Sequence, residues 1–260
     1  MDALLDTDWI THWRDLVARR EAEVPAREAA FWDRRAPTFA LSTRGEPDPF
    51  LDFIEPWLEP SLTLIDVGAG VGRHAQPLAR RLDWVTAVEP SAGMRDRLAV
   101  ADNMTVVASG WMDADTAPAD LVICVHVLYT VEDVVPFLRK LETAARRRLF
   151  VVLRDGASRH PAEVMKGPGG PRSPHLRDLF LLLRQLGVAP DLALFRRPAF
   201  FRFESVEAAV ADCETRLGAL FEQRGGRQWL VERLRPEPGG NFLFDAGEAT
   251  TGVVHWSPSA

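Results

Sequence analysis

Three glycines spaced two apart, Gly68, Gly70 and Gly72, lie between two acids, Asp66 and Glu89, and this set is the part of the chain best equipped to hold a ligand. Asp66 falls at the end of an apolar run over 62–67 (LTLIDV), and Glu89 closes another over 84–89 (WVTAVE). Both runs read as strands buried on two faces of a parallel sheet. Glycine serves where the backbone takes positive φ or must let another group approach closely. In nucleotide-binding folds, an acid about twenty residues past such a turn accepts hydrogen bonds from ribose hydroxyls. Asp66 is placed to take a cationic or hydrogen-bond-donating part of the same ligand. Phosphates are not provided for: the third glycine of a GxGxxG fingerprint would fall at Arg73, and no Gly-Lys-Ser/Thr follows as in a P-loop. The ligand expected here has a ribose, a positively charged portion and no phosphates.

A second set follows the apolar stretch 119–125 (ADLVICV), where His126 and Tyr129 stand three residues apart. Histidine exchanges a proton near neutrality, so His126 reads as a base or an orienting group, with a purely structural hydrogen-bonding role as the plain alternative. Tyr129 is the only tyrosine of the chain. Arg154 and Asp155 close the apolar run 149–153 and read as polar groups facing a substrate. His74, just after the glycines, reads as support for the helix that follows.

The elements that must position these residues are legible in the hydrophobic pattern. Strands are expected over 62–67, 84–89, 104–108, 119–125 and 149–153, with helices between them, including one from the N-cap Ser91 to about residue 100 and one over 132–145. Such alternation predicts an α/β fold with a doubly wound, mostly parallel sheet. Ahead of it, Asp8 caps a helix carrying Trp9, Ile10, Trp13, Leu16 and Val17, and a second helix carries Ala29, Phe31 and Trp32 ahead of Arg34-Arg35-Ala36-Pro37. Residues 158–174, rich in proline and glycine, read as a mobile loop, either a lid or a connector. Beyond it come a helix over 175–186 stopped by Gly187, a sixth strand over 191–197 or 199–203, helices between 205 and 234, and a last strand over 251–256.

With Asp66-Val67-Gly68-Ala69-Gly70-Val71-Gly72, Val88-Glu89-Pro90-Ser91, Met94 and the strand and helix over 121–138 in place, the chain resembles the class I S-adenosylmethionine-dependent methyltransferases. The resemblance covers roughly 58–155. It implies S-adenosylmethionine as cofactor and S-adenosylhomocysteine as product. Asp66, Gly68, Ala69, Gly70 and Gly72 would then lie under the methionine part, Glu89 would hold the ribose, and Pro90 and Met94 would border the adenine. Gly110, Trp111 and Met112 would flank the adenine, and Val125 would close the strand over 119–125 beside the methyl group. It further implies seven strands, the last entering antiparallel between the fifth and sixth, with an N-terminal helical cap and a helical insertion before that last strand. The division expected is a cap over 1–57, a cofactor-binding core over 58–157, a lid loop and substrate lobe over 158–250, and a final core strand over 251–260. Phe31, Trp32 and Phe39 of the cap would line the substrate pocket together with Arg154 and Asp155. Methyltransferases acting on the amines of DNA bases or glutamine carry an Asn/Asp-Pro-Pro-Tyr/Phe tetrad after the fourth strand, whereas this chain has Val-His-Val-Leu-Tyr, which argues against that substrate class.

Composition narrows the partners. A net charge of -6 gives no general attraction to nucleic acid, and the basic clusters Arg34-Arg35, Arg146 to Arg148 and Arg196-Arg197 read as solvated helix ends. The first residues, MDALLDTDWI, hold no long apolar stretch, so a cytoplasmic protein without a membrane segment is expected. Cys124 and Cys213 are far apart and read as core thiols, with no metal site around them. The function expected is methyl transfer to O, N or C of a small molecule. The alternatives are an RNA or protein methyltransferase, a non-catalytic S-adenosylmethionine-binding protein, and a NAD-dependent dehydrogenase disfavoured by the missing glycine. Monomer and homodimer are both open.

Overall fold

The computed structural model describes residues 7–23, 29–43, 47–156, 159–167 and 172–258. Among the described residues, eight strands form one sheet: β1 (Thr63–Val67), β2 (Trp84–Val88), β3 (Met104–Val107), β4 (Ala119–Val125), β5 (Ala145–Arg154), β6 (Asp191–Phe203), β7 (Leu234–Pro236) and β8 (Phe242–Trp256). Their order is β3-β2-β1-β4-β5-β8-β6, with β7 paired to β8. β1 to β5 run parallel, and β8 enters antiparallel between β5 and β6.

The apolar runs become central strands because they bury both faces. Ile65, Val67, Val122 and Cys124 pack on one side against helices Val134–Ala144 and Leu176–Gln185, joined there by Trp13 and Val17 of helix Trp9–Glu23. Leu64, Leu121, Ile123 and Phe150 pack on the other side against helices Pro49–Ile54 and Ala75–Ala79. A sheet buried this way is the middle layer of three. No helix among the described residues is long and apolar enough to cross a membrane.

Several elements differ from the sequence expectation. Two candidate stretches for the sixth strand join into one 13-residue β6, with a register shift between Pro198 and Phe200. The last strand begins at Phe242 rather than near 251, because its first half pairs with the second half of β6 and with β7. That pairing supplies the eighth strand. The helix capped by Ser91 is only Ala92–Arg95, and the cap helix continues through Pro37 to Thr43, the proline removing one amide donor without ending it. The stretch expected as a mobile loop contains the helix Pro161–Lys166, capped by the buried ring of His160 and packed through Ala162 and Met165 on Phe203, Cys213 and Phe221. Ser158 and residues 168–171 of that stretch lie outside the described residues, as do residues 1–6.

The arginine clusters are not solvated helix ends either. Arg146 to Arg148 lie on β5 and Arg196-Arg197 on β6. Arg35 is largely buried in an ion pair with Asp212 of helix Val206–Leu217. Arg216 of that helix, 3.7 Å from Asp212, lies over the Phe31 ring, and His160 Nε2 is 2.6 Å from the same carboxylate. This buried group ties the N-terminal cap to the helices inserted before β8.

Candidate active site

β1 delivers Asp66 and Val67 to the carboxyl edge of the sheet, and the chain then turns through Gly68, Gly70 and Gly72 at φ of 73°, 57° and 83°. Gly68 is required twice over. Its φ lies in the left-handed region, and an added Cβ would stand 2.4 Å from Val127 Cγ2. The amides of Gly68 and Ala69 donate to Val88 O of β2 at 2.8 and 3.1 Å, which clamps the turn to the neighbouring strand. A Cβ added at Gly70 would stand 3.8 Å from Cε1 of Phe39, on the cap helix.

Glu89 stands immediately after β2, buried, with Oε2 accepting from Gly70 N and Oε1 from Ser91 N, each at 2.8 Å. Burial raises its pKa, and those two amides oppose the rise. Each carboxylate oxygen keeps a free lone pair for a hydroxyl donor. Asp66 is the anomaly of the site. It is 1 % exposed, and neither carboxylate oxygen has a hydrogen-bonding partner. Burial pushes it up to about 6 and Glu89 adds to the rise, while His74 and the nearby Ala75 amide oppose it.

The residues expected beside an adenine lie in varied surroundings. Met94 is buried with Val71 and Ala36, and Trp32 packs beside them. Asp33, unremarked in the sequence, accepts from Ser91 Oγ at 2.6 Å and Gly93 N at 2.9 Å, and the Ser91 hydroxyl leads in holding its pKa low. Pro90 is exposed, and Gly110 is half-buried. Trp111 is buried in the core with the Lys140 ammonium 5.0 Å over one face of its ring, and its Nε1 has no partner. Met112 is exposed and offers its carbonyl to Lys140.

At the end of β4, beyond the half-buried Val125, His126 has φ of 61°, the only positive value at a non-glycine among the described residues. Holding a side-chain-bearing residue there costs about 1–2 kcal/mol. Its amide still pairs with Val152 O, and its Nδ1 lies 2.8 Å from Tyr129 OH. The Tyr129 oxygen accepts from the Arg154 amide at 2.7 Å. The arrangement that satisfies all three groups has the tyrosine hydroxyl donating to Nδ1, which leaves the proton of the neutral imidazole on Nε2. Burial, then Arg154 and Arg197, hold the His126 pKa well below its ordinary value.

Of the substrate-side residues, Arg154 lies over the Tyr129 ring at 4.2 Å and belongs to this group. Asp155 does not. Successive residues leave a strand on opposite faces, and Asp155 turns away to bind Arg177 at 3.0 Å. Phe31 is buried beneath Arg35 and Arg216 and meets Trp32 edge to face. The side chain of His74, expected to support the helix that follows it, makes no cap hydrogen bond there; it holds Asp48, the cap of helix Pro49–Ile54, at 3.0 Å, and Arg73 holds the same carboxylate at 2.7 Å.

The residues present fit a ligand with a ribose and a cation. An orphaned buried carboxylate needs a donor or a positive charge, the glycine turn leaves its backbone open at Gly70, and Glu89 retains acceptors. Asp66 would face the charged methionine part of S-adenosylmethionine, and Glu89 the ribose.

Comparison with known proteins adds an independent finding. A family described as "Methyltransferase domain" matches residues 39–199, more than half of the chain. An uncharacterized protein of Haemophilus influenzae is 26% identical over 241 residues, which span 87% of this chain and 88% of that one. Among solved structures, the YcgJ protein of Bacillus subtilis superposes with TM-score 0.54 at 10% identity, covering 81% of this chain and 98% of its own. The [4+2]-cyclase SpnF superposes with TM-score 0.54 at 14% identity, covering 91% and 99%. These likenesses are of fold, and a cyclase among them illustrates that the fold alone does not name the reaction.

Proposed function

The chain belongs to the methyltransferase-domain family, and from that premise we propose that it transfers the methyl group of S-adenosylmethionine to a small molecule held between the cap helix and the end of β4. The observation that carries the reading is the buried, unpartnered Asp66 carboxylate beneath an open glycine turn. The enzyme is S-adenosylmethionine-dependent. When bound, that cofactor supplies a methyl group already activated on a sulfonium, so the protein's work is positioning, water exclusion and proton handling.

Asp66 and Glu89 would anchor the two ends of the cofactor that carry charge and hydroxyls, and Phe39 and Trp32 would cover it from the cap. His126 is suited to orienting more than to general base catalysis. Its depressed pKa makes it a weak base, and its Nε2–H, fixed by the Tyr129 hydroxyl on the other nitrogen, would donate a hydrogen bond to the methyl acceptor. That favours an acceptor whose nucleophilic atom needs no strong base. A small molecule is favoured over RNA because several of the clustered arginines are already paired: Arg35 is buried against Asp212, Arg147 faces Glu59 and Asp120, and Arg148 faces Asp191.

The test is calorimetric titration with S-adenosylmethionine, S-adenosylhomocysteine and NAD, on the wild type and on Glu89→Gln. Micromolar binding of the two sulfur ligands, weakened in the variant and absent for NAD, is expected. Failure of both to bind, or binding of NAD instead, refutes the reading.

A further inference from the structure

The carboxyl edge of β5, β8 and β6 carries positive charge that cofactor binding leaves unused. Thr251 lies opposite Arg154 on β5 and opposite Phe195 on β6, and Arg197 stands two residues beyond Phe195, opposite Ala249. Strand alternation places Arg154, Thr251, Phe195 and Arg197 on one face, the face where Phe150, Val152 and Val253 pack with the helix that follows the glycine turn. Arg154 is fixed there by the Tyr129 ring, and Tyr129 touches His126.

Arg154 and Arg197 are both partly buried. Arg73, Arg172, Arg177 and Arg202 each face a carboxylate, whereas among the described residues none lies within ion-pairing distance of Arg154 or Arg197. Two polar atoms at the same place are orphaned: Arg154 Nε, and Thr251 Oγ1 on a residue only 6 % exposed. Partial burial lowers the Arg197 pKa and the neighbouring charges of Arg73 and Arg154 lower it further, while Asp48, beyond ion-pairing distance, opposes them. A desolvated pair of like charges beside an unpaired buried hydroxyl is costly unless an anion joins it, and guanidinium groups suit planar or tetrahedral oxyanions.

We propose that Arg154, Arg197 and Thr251 form an anion site for the carboxylate or phosphate of the methyl acceptor, which makes the substrate an acidic small molecule. This rests on the methyltransferase reading above. The anion would be gripped across β5, β8 and β6, beside the His126–Tyr129 pair, so that binding the acid also delivers the acceptor to the end of β4. Arg197 then acts in substrate selection.

The experiment titrates malonate and, separately, inorganic phosphate into the full chain, with and without saturating S-adenosylhomocysteine, using the wild type, Arg197→Met and Thr251→Val. Saturable binding of either anion to the wild type, weakened about tenfold or more in Arg197→Met and weakened in Thr251→Val, with S-adenosylhomocysteine affinity unchanged in both, is the expected result. Preference for malonate or for phosphate identifies which acid the acceptor carries. No saturable anion binding to the wild type, or equal binding to Arg197→Met, overturns the site. A parallel loss of S-adenosylhomocysteine affinity in Arg197→Met also overturns it, because the arginines would then hold the cofactor's own carboxylate. Failure of S-adenosylhomocysteine to bind the wild type sinks the methyltransferase reading instead, and the titration without it still decides whether the anion site exists.

Discussion

Replacing Asp66 by asparagine tests the site through stability as well as binding. The folded protein holds this carboxyl at about 6, against 3.8 when free, mainly because burial disfavours its charge. A group raised on folding contributes stability that is full below pH 3.8 and withdrawn as pH rises through 6. At about 1.4 kcal/mol per pH unit of separation, ionised Asp66 costs the unliganded protein about 3 kcal/mol above neutrality. About half of that cost is already present at pH 5, so Asp66→Asn gains about 1.4 kcal/mol on the wild type between pH 5 and pH 8. Urea unfolding of both proteins at the two pH values measures it, and the comparison cancels the other titrating groups to first order. The same variant loses S-adenosylhomocysteine binding, while wild-type binding weakens below pH 6 as the carboxyl takes up its proton. Parallel stability curves for the two proteins, or undiminished cofactor affinity in the variant, would refute the account of Asp66 as an uncompensated charge awaiting a cationic ligand.

Gly68→Ala forces a methyl group to within 2.4 Å of Val127 at a φ of 73°, so a destabilisation of about 3 kcal/mol by strain and overpacking, with loss of cofactor binding, is expected in urea unfolding and calorimetry. Tyr129→Phe removes the donor that sets the His126 tautomer, and kcat falls about tenfold with S-adenosylhomocysteine affinity unchanged; an unaltered kcat would deny His126 an orienting role. Asp212→Ala strands Arg35, Arg216 and His160 and costs about 3 kcal/mol at neutral pH. Although burial alone would raise it, the His160 hydrogen bond and the two arginines hold the Asp212 carboxyl well below the usual range. Its stabilisation is therefore present above about pH 4 and lost in more acid solution, and the wild type and variant converge there in thermal melts.

The sequence determined by itself what depends on neighbours along the chain. The runs ending near Asp66 and Glu89 and the run over 119–125 could only be strands buried on both faces, and glycines at 68, 70 and 72 announced positive φ because no other residue takes it freely. That Asp66, the glycine turn and Glu89 would come together was readable for that reason: they sit at the ends of consecutive strands, and the parallel order follows from short right-handed crossovers. What pairing across the sheet decides was not readable. Pro198 hid the continuity of β6, and the polar, glycine-containing 242–250 segment becomes strand only because β6 and β7 flank it. Arg154 and Asp155 looked equivalent until the pleat sent one to Tyr129 and the other to Arg177. Arg35 and Arg197 looked like solvated charge, and only tertiary structure buried the first against Asp212 and brought the second to the face that bears Arg154. A side chain's local pattern is blind to the partner that desolvates or neutralises it, and that partner, often more than a hundred residues away, is what turns a charge into a site.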